Sequence, residues 1–141
     1  MVRILRYGWI GMVLLAACAG TAPNVLHVQA TSQGLLSKQV EINDAALERR
    51  LAFGEVSVKP LEGGASMETQ VIIRNTSMRD LKFEYRFIWY DASGFEISPN
   101  IAWIPVVLSG KDERAFKSVA PAPNAASFKC MIRKSHPLRD S

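Results

Sequence analysis

Leu81-Lys-Phe-Glu-Tyr-Arg-Phe-Ile-Trp-Tyr-Asp91 decides the fold. Every second residue (Leu81, Phe83, Tyr85, Phe87, Trp89) is large and mostly apolar, and Lys82, Glu84, Arg86, Ile88 and Tyr90 fill the positions between. A period of two puts the five large side chains on one face of a strand, whereas helical spacing would scatter them around the axis. Burying each contributes roughly 1.5–3 kcal/mol, so this strand is expected at the centre of a core. Asp91-Ala-Ser-Gly94 then reads as a hairpin loop, Phe95-Glu-Ile97 as an antiparallel return, and Ser98-Pro-Asn100 as its end.

Strand patterns continue on both sides. Upstream, Ser37–Ile42 alternates weakly, and Asn43 or Asp44 is placed to cap a short helical turn at Ala45–Arg50. Ala52–Val58 reads as a strand with a bulge or close approach at Phe53-Gly54, and Glu68–Arg74 as another, with Thr69, Val71 and Ile73 on one face. Downstream, Ile101–Leu108 is apolar but confined by Pro105 to an edge or a bend. Arg114–Val119 points Phe116 inward, and Ser127 to about Lys134 closes the series. About seven short strands with turns every eight to twelve residues predict an all-β domain. The expected architecture is an immunoglobulin-like antiparallel β-sandwich with one short helical turn, over residues 35–134.

The N-terminus has a different character. Arg3 and Arg6 precede an apolar run of 13 residues, Tyr7–Ala19, which passes through Leu15-Ala-Ala-Cys18. A spanning helix needs about 20 apolar residues. A basic start, an apolar centre and small residues at the end are instead the parts of an export signal. Ending on cysteine, the segment resembles a bacterial lipobox. That resemblance implies cleavage between Ala17 and Cys18 and a diacylglyceryl group on the Cys18 thiol, with acyl chains giving stable anchorage. With Ala19 rather than Asp next, resemblance to enteric sorting implies an outer-membrane protein facing the periplasm of a Gram-negative cell. The expected division is therefore 1–17 signal peptide, 18–34 lipidated N-terminus and flexible tether, 35–134 sandwich, and 135–141 disordered tail.

Composition narrows the function. Loss of Arg3 and Arg6 with the signal takes Lys plus Arg from 17 to 15 against 13 acids, so the net charge falls from +4 to +2. So small a balance argues against nucleic acid. If Cys18 is acylated, Cys130 is the one thiol left, with no internal disulfide possible; the alternation around it points to a buried small hydrophobe, and an intermolecular disulfide or reactive thiol is the alternative. His27 and His136 lack the rigid neighbours that acid–base or nucleophilic chemistry needs, and no His, Cys, Asp and Glu spacing suits a metal. No catalysis, cofactor or small-molecule substrate is expected.

Ile72-Ile-Arg-Asn75, Leu81–Asp91, Gly94-Phe95 and Trp103 together resemble the YcfL-like family of small bacterial lipoproteins. The resemblance covers most of Leu36 to Arg133 and implies a periplasmic sandwich on a lipid anchor. It supplies no mechanism.

Surface residues remain. Arg86, Ile88 and Tyr90 share the outward face of the central strand, and Trp103 lies near an edge with Ile101 and Ile104. Tyr, Trp and Arg are enriched in protein contacts. The expected role is a lipid-anchored accessory module contacting an envelope protein through Arg86, Ile88, Tyr90 and Trp103. The alternative is a structural lipoprotein touching peptidoglycan or lipid nonspecifically through its basic end, Lys129, Arg133, Lys134 and Arg139.

Overall fold

The computed structural model describes residues 22–98 and 101–135. The signal peptide, the cleavage and lipidation site at Ala17 and Cys18, and tail residues 136–141 lie outside the described residues.

Eight strands and one helical turn follow in chain order: β1 (Asn24–Thr31), β2 (Gly34–Glu41), α1 (Ala45–Glu48), β3 (Leu51–Pro60), β4 (Met67–Asn75), β5 (Leu81–Asp91), β6 (Ile104–Leu108), β7 (Glu113–Val119) and β8 (Ala125–Lys134). They form two antiparallel sheets, one of five strands in the order β2-β1-β8-β5-β6 and one of three in the order β3-β4-β7. The chain is thus the expected β-sandwich, with the core between the sheets.

The eighth strand corrects the boundary drawn from sequence. Residues 18–34 read as a tether because small and polar residues dominate them, yet β1 occupies Asn24–Thr31 and sits between β2 and β8. Leu26, Val28 and Ala30 are buried in the core. Burial on one face and hydrogen bonding on both edges outweigh the weak local propensity.

Other local expectations match. Asp44 caps α1, its side chain accepting from the Leu47 N–H at 3.0 Å. The β3–β4 register slips between Phe53 and Val56, where Gly54 packs against Ile72. Pro105 lies on β6, an edge strand. The return at Phe95–Ile97 is not a strand: among the described residues, a lone Tyr90–Glu96 bridge follows the turn.

On β5, Phe83, Phe87 and Trp89 point inward as the alternation requires. Phe116 of β7 meets Phe83 and Tyr85 edge-on, at ring centroid distances of 6.1 and 4.6 Å. Trp89 packs on Phe128 of β8, and its indole N–H donates to Ser118 Oγ of β7 at 2.9 Å, bridging the sheets. Cys130 is a buried free thiol in the same core, and burial pushes its pKa far above the ordinary thiol range.

Candidate functional site

The outer face of the five-stranded sheet carries the residues singled out in the sequence. Because β5 and β8 pair antiparallel with Glu84 opposite Arg133, Arg86 opposite Met131 and Ile88 opposite Lys129, the polar rows of the two strands lie side by side. Arg133 donates from Nε to Glu84 Oε2 at 2.7 Å. Before β6, Ile101 and Ala102 lie beside Arg86 and Ile88, and Trp103 lies against two cations, with Arg133 Cζ 4.0 Å and Arg86 Cζ 4.5 Å from the indole centroid. Further along, Lys129 Nζ lies 5.2 Å from the Tyr90 ring.

The sequence places Trp103 near an edge. In the structure it is half-buried and lies over two guanidinium groups outside the core. Arg86 is held between the sheet and this indole, and its buried Nε has no partner among the described residues. Guanidinium groups suit this arrangement because they are weakly hydrated and stack on aromatic rings.

Of the four predicted contact residues, the structure gathers Arg86, Tyr90 and Trp103 on one face. Ile88 needs correcting. It is only 8% exposed, beside Glu96, Ile101 and Ala102 of the returning segment, so it anchors that segment rather than meeting a partner. Sequence reasoning missed Arg133 and Lys129 as members of the face, having assigned them to a basic end. Alternation along β8 gives the right side for both, but only the strand register puts them next to Trp103 and Tyr90.

A groove of about 290 Å³ continues across the same sheet, lined in part by His27, Gln29, Gln39, Tyr90 and Lys129. His27 Nε2 lies 2.9 Å from Glu41 Oε2. Hydrogen bonds from Asn43 and His27 hold the Glu41 carboxyl below the ordinary carboxylate range. His27 is therefore an ordered residue of an inner strand, not part of a tether. Among the described residues, no group of three or more His, Cys, Asp or Glu side chains is placed to hold a metal, and no helix is long and apolar enough to cross a membrane.

Of the basic end, Arg139 lies outside the described residues and the other three cations have partners within the chain. Arg133 is paired with Glu84, Lys134 Nζ lies 3.5 Å from Asp44 Oδ2, and Lys129 lies over Tyr90.

Comparison with known proteins places the fold. Residues 38–134 match the family described as a protein of unknown function, DUF1425. The match starts inside β2 and leaves out β1. A crystal structure of a DUF1425 family member from Shewanella sp. pv-4 superposes with a TM-score of 0.55 at 18% identity, covering 78% of this chain and 97% of that one. The crystal structure of Campylobacter jejuni Cj0090 gives a TM-score of 0.50 at 19% identity, covering 57% of this chain and 83% of that one. Both likenesses are of fold. No curated protein matches the sequence.

Proposed function

The chain belongs to the DUF1425 family, whose function is unknown, and from that premise we propose that it is a lipid-anchored, non-catalytic accessory module of the bacterial envelope. Its outer sheet face, built on Arg86, Tyr90 and Trp103, holds a protein partner on the periplasmic side of the outer membrane. The anchor follows from Leu15-Ala-Ala-Cys18, and the lipoprotein character from the resemblance to YcfL-like proteins.

One observation carries the choice of face. Trp103 is fixed over Arg86 and Arg133 outside the core, so a large aromatic surface is held in place next to a guanidinium whose buried Nε has no hydrogen-bond partner among the described residues. An ordered aromatic–Arg pair loses little side-chain freedom on binding, which is the usual character of an interface hot spot. Nonspecific contact with wall or lipid through the basic end is the weaker reading, because Arg133 and Lys134 already face carboxylates in the chain.

Photo-crosslinking in cells from positions 86, 90 and 103 tests the proposal. The expected result is one discrete adduct from these sites and none from exposed Lys117 of β7. Diffuse labelling from all of them would reject a specific partner, and release of the protein from wall material by high salt would favour the nonspecific alternative.

A further inference from the structure

Among the described residues, one buried polar side-chain atom has no hydrogen-bond partner: Arg86 Nε on β5. An unmet buried donor is costly, and native structures seldom keep one without a use. The surroundings of Arg86 leave it unmet. Glu84, two residues before it on the outer face, is taken by Arg133 at 2.7 Å. Met131 stands opposite on β8 and offers no charge. Trp103 lies over its guanidinium, 4.5 Å from Cζ to the ring centroid, and an indole N–H donates but does not accept. No ion pair among the described residues includes Arg86. Beside it is a hollow of about 340 Å³, lined by Arg86, Ile88, Glu96, Ile101 and Ala102.

We propose that Arg86 receives an aspartate or glutamate side chain of the partner protein, seated in this hollow among apolar neighbours. The inference rests on the reading of this face as the partner surface and adds the chemistry of what docks there. Charge complementarity selects the occupant. A guanidinium presents a planar fork of donors that a carboxylate matches with two parallel hydrogen bonds. Because Glu84 already neutralises Arg133, the corner has one free cation to offer, and a single negative charge suits it. A polyanion or an anionic bilayer needs a run of cations and would meet Glu84 and exposed Glu96 here. A wholly apolar ligand would leave the Nε–H unmet. Ile88, Ile101 and Ala102 complete the match with a partner segment whose acidic residue has apolar neighbours. Glu96, on the same hollow, repels an incoming acid, so Arg86 and Glu96 act on one partner with opposite sign.

The full chain in producing cells, with the photo-crosslinker benzoylphenylalanine at position 90, tests this. Adding Arg86→Gln should cut the adduct at least about tenfold, and adding Glu96→Gln should raise it about twofold. Arg86→Lys keeps a cation under the indole. Combined with Glu96→Gln and treated in isolated membranes with a water-soluble carbodiimide, its amine should form an amide with an Asp or Glu of the same protein that the photo-adduct contains. A phosphodiester headgroup does not couple in this way. Protection of the buried Cys130 thiol from maleimide in each variant shows that the fold is kept. An undiminished photo-adduct from a folded Arg86→Gln chain overturns the proposal. So does a lower yield with Glu96→Gln, or a photo-adduct that persists without carbodiimide coupling. Each of these leaves the partner surface standing, whereas absence of any discrete adduct with Arg86 intact overturns both readings.

Discussion

Trp103 is where side-chain chemistry and the proposed role meet. Exposed cation–π contacts contribute about 0.5–1 kcal/mol each, and Trp103 makes two. Trp103→Ala is expected to cost about 1–2 kcal/mol in urea unfolding and to abolish the partner adduct, with Trp103→Phe intermediate in both. Loss of stability with the adduct intact would make Trp103 purely structural. A second residue has no visible signal in the sequence. Asn75, fully buried, donates from Nδ2 to the carbonyls of Arg79, Leu108 and Ser109 at 2.8, 3.0 and 3.1 Å, while its Oδ1 accepts from Ser77. Asn75→Ala strands these carbonyls and should cost about 3 kcal/mol in the same measurement. Ser77 and Arg79 are local partners of Asn75, but Leu108 and Ser109 lie at the far end of β6, which no local pattern reveals. Cys130, by contrast, was legible as a buried small hydrophobe from alternation alone. Its raised pKa, with that of half-buried Tyr85 raised mainly by burial, sets a sign. Both acids stay protonated when folded but ionise when unfolded, so their contribution is complete below the ordinary thiol pKa and declines as pH rises beyond it. Far-ultraviolet circular dichroism should show stability falling above about pH 9, and Cys130→Ala should flatten that slope while lowering stability at pH 7.

At the scale of elements, β5 announced itself because its partner faces differ so sharply in chemistry. β1 carried the same signal in muted form: Leu26, Val28 and Ala30 alternate with His27, Gln29 and Thr31. Glycine, proline and small polar neighbours masked it, and its pairing with β8 lies about a hundred residues away in the chain. A chain begun at Leu35 is therefore expected to aggregate or to fail to fold, whereas one begun at Ala22 folds. Proteolysis and one-dimensional proton spectra separate the two. Removing β1 uncovers the edge of β8 and the corner pinned by Asn24, whose Oδ1 accepts from the Asn43 and Asp44 N–H groups at 2.9 and 2.7 Å. The Phe95–Ile97 return failed for the opposite reason. Its alternation is real, but Ile97 turns toward the core and Ser98 Oγ, in place of a backbone carbonyl, accepts the Trp89 N–H at 2.7 Å, so ladder pairing with β5 stops after one bridge.

For the molecule as a whole, the two-sheet class was legible from strand count, whereas the proposed recognition face, made of β5, β8 and Trp103, was not. Three of its parts lie far apart in sequence and meet only through register. The two ends of the sandwich also differ. At one end, Lys111 N–H donates to Ser77 O at 2.9 Å, Gly110 N–H donates to Asp80 Oδ1 at 3.2 Å, and a Cβ on Gly110 would run into the Met78 carbonyl. Gly110→Ala should therefore lower the melting temperature by several degrees. The proposed anchorage has its own check: Cys18→Ser should move the protein out of the membrane fraction, and globomycin should leave the precursor uncleaved.

The early start of β1 sets a leash. Between an acylated Cys18 and Asn24 lie five residues, which stretch to about 20 Å at most. Strand β1 itself extends roughly another 25 Å. Its first residues lie level with Ile132 and Tyr85, close to Arg86, Arg133 and Trp103, and its last lie level with Ser127 and Tyr90. With the proposed anchor at Cys18, height above the bilayer would act as a filter. Under that proposal, a partner docking on the indole is expected to meet it near the headgroups, which favours membrane-seated partners over those free in the periplasmic fluid.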